Sequence, residues 1–261
     1  CNMNRVVTLT TDLGNQDYYV GMVKGAILSA SPEMQLVDIT HEIPSYDIVQ
    51  GAYILRNVYN HFPPGTVHLI SVNNNYNVQN IYILFEKDGY IFVGPNNGLF
   101  SLVFERLPDQ VFELRGSKGG AFPVRDIFSK VIRQLGRGDT LNEIGDAVTN
   151  LVMRMNLQPV VTRSHIRGSV IHVDKFDNVI LNITREVFER ARKGRDFALF
   201  FKRFEPITTI SEHYFDVPVG ETLCLINSAD HLEIAINMGK AASLLGLKDD
   251  ETVQIDFYDE P

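Results

Sequence analysis

The sequence predicts an α/β chain in two parts: a three-layer α/β domain with a mostly parallel sheet over residues 1–158, then a smaller β-rich domain over residues 159–261. Three observations carry this reading. Strand-like and helix-like segments alternate up to about residue 158. Beyond it, short β runs follow one another and the helical signals shrink. Between the two lies Met155-Asn156-Leu157-Gln158-Pro159, which reads as a linker.

Taken in order, Val6 to Thr10 is a β-branched run that stops at Thr11-Asp12-Leu13-Gly14, a turn composition. Tyr18 to Ser29 carries Val20, Val23, Ala26 and Ile27 at helical spacing, and Pro32 ends it. Leu36 to Ile39 is a second strand. Ile48 to Phe62 is read as one helix, with Ile48, Ala52, Leu55, Val58 and Tyr59 near a 3.6-residue period and Pro63-Pro64-Gly65 closing it. Val67 to Val72 and Ile81 to Phe85 are strands around an Asn-rich loop. Lys87-Asp88-Gly89 is a hairpin turn into the strand Tyr90 to Val93. Asp126 to Leu135 is a further helix, followed by Gly136. The later strands are Ile166 to Val173, Val179 to Ile183, Phe197 to Phe201, Thr222 to Ile226, Leu232 to Ile236 and Thr252 to Phe257. Short helices are expected at Arg185 to Arg192 and Lys240 to Leu245.

Composition excludes several classes. The chain has 261 residues, 44% of them hydrophobic, enough for a substantial core. Its 24 basic and 32 acidic residues give 24 − 32 = −8, with no block of Lys or Arg to displace counterions from a polyanion, so nucleic acid is an unsuitable partner. No apolar stretch reaches the ~18 residues that a membrane span requires. Cys224 sits in the apolar run Leu223-Cys224-Leu225-Ile226 and reads as a buried free thiol, which fits a reducing compartment. A soluble, cytoplasmic protein is expected. The alternative that Cys1 raises is a lipid-modified N-terminal cysteine.

Ligands of open α/β sheets bind at the carboxyl ends of strands, which directs attention to the loop after the first strand. There Asp12 stands where the strand stops, suited to a ribose diol or an ammonium. Asp17 stands before a helix, where a carboxylate also serves as a cap. Asp38, His41 and Glu42 follow the second strand. Alternation along a strand argues against their converging on a metal ion, and turn hydrogen bonds are the plainer reading. No P-loop, GxGxxG or nucleophile elbow is present. The asparagines at 73, 74, 75, 77 and 80 can bind, but an amide takes up no proton at neutral pH. In the second half, Asp174 to Asn178 and Asn227 to His231 are polar turns between strands.

These segments, in this order, resemble the S-adenosylmethionine (SAM) hydrolases that form adenosine, also called SAM hydroxide adenosyltransferases, which are related to the SAM-dependent fluorinase and chlorinase. The motifs are Thr11-Asp12-Leu13-Gly14 with Asp17, Tyr19-Val20-Gly21 and Lys24-Gly25; Val37 to Pro44 with Asp47; and Gly94-Pro95-Asn96-Asn97-Gly98. Further on come Arg125-Asp126-Ile127-Phe128, Phe176 with Asn178, Asn182-Ile183, and Asn227-Ser228 with Leu232-Glu233-Ile234-Ala235. The resemblance implies an N-terminal α/β domain, a C-terminal β-barrel, and a homotrimer holding SAM between the N-terminal domain of one subunit and the C-terminal domain of the next. No metal and no cofactor other than SAM itself, as substrate or ligand, is implied.

By motif position, the resemblance assigns Asp12 to the ribose hydroxyls, Asp17 to the methionine ammonium and Tyr46 to a face of the ribose. It assigns Asp174 and Ser228 to the amino-acid end, and Phe176, Asn178 and the backbone near Met238 to the adenine. Asn73, Tyr76, Phe122 and Val124 complete the ligand-binding set. The chemistry departs from the pattern. Those hydrolases orient and deprotonate the attacking water with an Asp, an Arg and a His, where this chain has Asn73, Asn80 and Pro123, none of which can act as a base. Asn96 likewise replaces an Asp. Three readings follow. SAM is cleaved at C5′ by a nucleophile that alignment alone activates, with Asn73, Tyr76 and Asn80 available to hold it. SAM or adenosine is bound without turnover. Or another reaction on a nucleoside uses Arg125 and Asp126, whose plainer role is an ion pair at a helix start.

Overall fold

The computed structural model describes residues 4–74, 81–115 and 122–258. The chain divides into two compact units, Cys1–Asn156 and Leu157–Pro261.

The first unit is built on the strands β1 (Val6–Thr11), β2 (Gln35–Thr40), β3 (Val67–Ser71), β4 (Tyr82–Lys87), β5 (Tyr90–Pro95), β6 (Val111–Leu114) and β7 (Gly145–Ala147). Its helices are α1 (Tyr19–Ala30), α2 (Ile48–Arg56), α3 (Leu99–Val103), α4 (Pro123–Gly136) and α5 (Leu141–Ile144). The sheet order is β2-β1-β3-β5-β4-β6-β7. The β2-β1, β1-β3 and β3-β5 pairs are parallel, and an antiparallel flank of β4, β6 and β7 extends them.

Residues alternate between two buried faces. Val7, Leu9, Val67, Leu69, Ile91 and Val93 pack with Val23, Ile27, Phe128 and Ile132 of α1 and α4. Ile70, Phe85, Phe92 and their neighbours pack with Leu55, Leu99 and Phe100 of α2 and α3. Helices on both faces of one sheet make the three layers that alternation along the chain implies.

Two helix boundaries differ from the sequence reading. The segment from Ile48 stops being α-helical at Arg56, and a 3₁₀ turn at Tyr59–His61 completes it. Asn57 ends the helix by donating its side-chain amide to the Tyr53 carbonyl at 2.8 Å. Apolar periodicity alone runs straight through such a stop. The helix expected from Asp126 instead begins at Pro123, whose ring takes the first-turn position where no N–H is needed. The β4-β5 turn has Asp88 at φ 54° and Gly89 at φ 83°, the paired positive values that a two-residue hairpin requires.

In the second unit the strands are β8 (Val160–Val161), β9 (His165–Val173), β10 (Val179–Thr184), β11 (Asp196–Phe201), β12 (Ile210–Ser211), β13 (Thr222–Ile226), β14 (His231–Ile236) and β15 (Thr252–Tyr258). Two helices join them, α6 (Arg185–Arg192) and α7 (Ala241–Leu245). The order is β11-β15-β9-β10-β14-β13-β12, with β8 on β9. This sheet curls into a half-barrel over one apolar core, where Val170, Leu181, Phe188, Leu232, Ile234 and Ile255 are enclosed. The free thiol of Cys224 lies in that core, and burial pushes its pKa up to about 12. Among the described residues no helix is long and apolar enough to cross a membrane.

Candidate ligand-binding site

In the first unit the carboxyl ends of the parallel strands converge on Asp12. Its own N–H donates to the Ser71 carbonyl at 3.1 Å, tying the end of β1 to β3. Its Oδ2 accepts the backbone N–H of Tyr46 and that of Asn73, both at 3.0 Å. Both donors sit in left-handed backbone, Tyr46 at φ 68° and Asn73 at φ 52°. Asparagine tolerates that conformation and tyrosine adopts it at a cost, so the surrounding contacts impose it.

A cleft of about 360 Å³ opens beside this carboxylate, lined among others by Asp12, Tyr19, Tyr46, Phe122, Pro123 and Val124. The fold thus brings the sequence candidates Asp12, Tyr46, Phe122 and Val124 together with Pro123. Tyr19 joins them and packs its ring 5.2 Å from that of Phe122. In the sequence Tyr19 stands out only as part of the Tyr19-Val20-Gly21 motif, and its signal is an aromatic pair directly after a strand-end loop. Asp17 is exposed and is not among the lining residues; its Oδ1 accepts the N–H of the adjacent Tyr18 at 2.8 Å. Tyr76 and Asn80 lie outside the described residues.

The loops around the cleft are fixed by polar groups beneath them. Thr11 Oγ1 lies 2.8 Å from Nδ1 of the buried His41. His41 Nε2 lies 3.0 Å from Asp38 Oδ1, and Lys24 Nζ is 2.5 Å from Asp38 Oδ2. Partial burial works to raise the Asp38 pKa, but the hydrogen bonds from Lys24 and His41 outweigh it and hold the carboxyl below its usual range. Glu42 faces elsewhere and accepts the backbone and side-chain N–H groups of Asn15. Asp38 and His41 therefore brace the strand ends, and Glu42 does not converge with them.

Asn73 has its main chain held on both sides, since Asn97 Nδ2 donates to the Val72 carbonyl at 2.8 Å and to that of Asn73 at 3.2 Å. Asn96 donates Nδ2 to the Asn150 carbonyl at 2.8 Å and accepts the Val152 N–H on Oδ1 at 2.9 Å. That pattern needs a donor as well as an acceptor, and an ionised Asp supplies only acceptors. Asp126 is exposed and Arg125 half-buried, and the two bond to each other at 2.8 and 3.1 Å in the first turn of α4.

In the second unit the candidates sit on turns of the half-barrel. Asp174 Oδ1 accepts the N–H groups of Phe176 and Asn178, both at 2.9 Å, and Asn178 Nδ2 donates to Oδ2 at 3.2 Å. The loop so closed leaves Phe176 74% exposed. Antiparallel pairing of Val179 with Ile234 sets the end of β14 at this same edge, where Met238 is 87% exposed at φ 56°. Ser228 lies at the other end of β14, exposed in the 227–231 turn. Asn227 closes that turn, its Oδ1 accepting the N–H groups of Ala229 and His231 at 3.0 and 3.1 Å.

Glu233, which carries no role in the sequence motifs beyond its place in Leu232-Glu233-Ile234-Ala235, is only 3% exposed. Tyr214 donates its hydroxyl to Glu233 Oε1 at 2.8 Å, and Asn227 Nδ2 donates to Oε2 at 3.3 Å. Burial raises the Glu233 pKa above the usual carboxylate range, with the Asp174 charge adding to it, while the Tyr214 and Asn227 hydrogen bonds oppose the rise. Burial and the bond to Glu233 likewise raise the Tyr214 phenol. The legible signal was a carboxylate in an otherwise apolar strand, Leu232-Glu233-Ile234-Ala235.

Comparison with known proteins bears on both units. The chain is 29% identical to an (R)-S-adenosyl-L-methionine hydrolase of Methanocaldococcus jannaschii, covering 98% of this chain and 94% of that one. It is 28% identical to a protein of the same description from Salinispora tropica (95% and 97% covered) and 25% identical to a fluorinase of an Actinoplanes species (97% and 98%). A crystal structure of an uncharacterized conserved protein from Thermotoga maritima superposes with a TM-score of 0.85 at 28% identity, over 96% of this chain and 99% of that one. Residues 7–145 match the SAM hydroxide adenosyltransferase N-terminal domain and residues 168–254 match the C-terminal domain. With both domains matched in order over most of its length, the chain belongs to the SAM hydroxide adenosyltransferase family.

Proposed function

We propose that this chain binds SAM, or the adenosine part of it, and does not hydrolyse it at the rate of a site equipped with a base. One observation carries the reading. A cleft with a firmly held carboxylate, Asp12, is kept, while Pro123 stands on its wall and Asn73 beside it. Neither residue takes up a proton at neutral pH. In this reading Asp12 takes the ribose hydroxyls, Tyr46, Phe122 and Val124 pack on the ligand, and Asp17 meets the ammonium. Asn73 stands beside the reacting carbon, and Tyr76, which the family resemblance also assigns to the ligand, belongs to the same proposed set. Asp174 and Ser228 hold the amino-acid end, and Phe176, Asn178 and the Met238 backbone face the adenine. A homotrimer is part of the same proposal.

Cleavage at C5′ is the second reading, favoured by the names of the curated relatives. A sulfonium leaves readily, and alignment of a nucleophile in a dry site supplies rate without a base.

The test is to incubate purified protein with each sulfonium epimer of SAM, following adenosine and methionine by chromatography, with calorimetric titration of SAM and adenosine alongside. Binding without turnover supports the first reading, turnover supports the second, and failure to bind either ligand removes both. The variant Asn73→Asp/Asn80→Arg/Pro123→His is expected to gain hydrolysis by roughly 10²–10⁴-fold, the usual range for a positioned acid–base group. Retained binding with no gain would contradict the assignment of those positions.

A further inference from the structure

Glu233 lies within hydrogen-bond reach of no cation among the described residues, and both of its oxygens accept from neutral side chains. One of those side chains, Asn227, spends its other end on the turn that carries Ser228. We propose that Glu233 is a positioning residue for the amino-acid end of the ligand, its carboxylate fixing Asn227 and through it the turn that presents Ser228. The inference rests on the reading that Ser228 and Asp174 receive that end of SAM.

The chemistry makes the device sensitive to proton uptake. Asn227 Nδ2 can only donate, so its bond is strongest to an ionised carboxylate. A protonated Glu233 places its hydrogen toward the Tyr214 oxygen, which can accept, and leaves Asn227 a weaker carbonyl acceptor. Among the described residues, the titratable groups acting on Glu233 are Tyr214 and Asp174; the β13-β14 register sets Leu225 opposite Glu233, so the Cys224 thiol points to the other face of the sheet, into the apolar core. Burial keeps that thiol uncharged, and Tyr214 is raised well above neutrality. Among these neighbours only Asp174 contributes charge, and it opposes ionisation of Glu233.

The experiment compares SAM and adenosine affinities of the full chain by calorimetry from pH 5 to 8. Adenosine lacks the amino-acid end and serves as the internal control. Glu233→Gln reproduces the protonated state, since its amide can donate to Tyr214 and accept from Asn227. It is expected to lose SAM affinity by about tenfold at pH 8, the scale of a weakened buried hydrogen bond, with adenosine affinity within twofold of wild type. Its SAM affinity, relative to wild type, should converge at low pH. Tyr214→Phe keeps the ring and tests the same point at a half-exposed position: the acid limb of the SAM profile should move to higher pH, because the carboxylate loses a donor. Equal losses for SAM and adenosine, or a Glu233→Gln profile superimposable on wild type, would overturn the inference while leaving the binding reading intact. If wild type binds neither ligand, the reading and the inference fall together.

Discussion

The two units solve the same problem, holding a carboxylate in a fixed place, by different means. In the α/β unit, Asp12 is gripped by main-chain N–H groups drawn from positions 34 and 61 residues away. In the half-barrel, the buried Glu233 is gripped by two side chains, Tyr214 and Asn227. Main-chain donors survive any side-chain substitution short of proline, whereas side-chain donors can be lost or altered one at a time. The first arrangement is a fixed anchor, and the second can be adjusted by substitution or by a proton.

The comparison is broken most directly at Asp12. Asp12→Ala leaves the Tyr46 and Asn73 N–H groups without their acceptor and removes the proposed ribose contact. Binding of SAM and adenosine should fall together by at least 100-fold in calorimetry. Stability should drop by about 1 kcal/mol in a denaturant titration, the scale of losing hydrogen bonds whose donors water can still reach. Selective loss of SAM binding alone would show that Asp12 is not the ribose anchor.

Proton linkage sharpens the contrast, because the buried titratable groups of the two units act with opposite sign. His68, fully buried in the α/β unit, is pushed down by burial to about 4 from an ordinary 6.5. The unfolded chain therefore binds a proton that the folded chain refuses, and stability falls as pH drops from 6.5 toward 4, by at most ~1.4 kcal/mol per pH unit. Glu233, raised above 4.5, acts the other way: its contribution is present at low pH and lost as pH rises through its folded value. Denaturant midpoints measured across this range should show a shallower acid-side decline for His68→Asn than for wild type. An unchanged slope would mean that His68 is protonated within the fold.

The smallest expected effect lies at Asn96. Asn96→Asp keeps the acceptor for Val152 but loses the donor to Asn150, at a cost of about 1–2 kcal/mol by thermal or chemical unfolding. A neutral or stabilising outcome would imply that the 150–152 segment re-pairs without it.

Much of the fold was legible because periodicity reports burial. Val7 and Leu9 alternate with Thr8 and Thr10, and the structure sends them to opposite faces of the sheet. Asp88-Gly89 announced its hairpin through turn chemistry. The five-residue helix Leu99–Val103 is too short to show a period, and the helix at Pro123 starts before its apolar repeat becomes clear at Ile127. Asp17 shows the limit of local rules: a carboxylate before a helix need not cap it, and among the described residues it bonds its neighbour Tyr18 while Asp47 caps α2.

By itself, then, the sequence determined the α/β-then-β order, most element positions and the motif series that marks the family, since these depend on neighbours three to four residues apart or on residue type. Tertiary structure decided which groups meet. The donors to Asp12, the bridge at Asn96 and the Tyr214–Glu233–Asn227 cluster join residues brought together by strand register and loop closure. No local pattern encodes such partners, because a hydrogen bond across the fold depends on where distant strands pair.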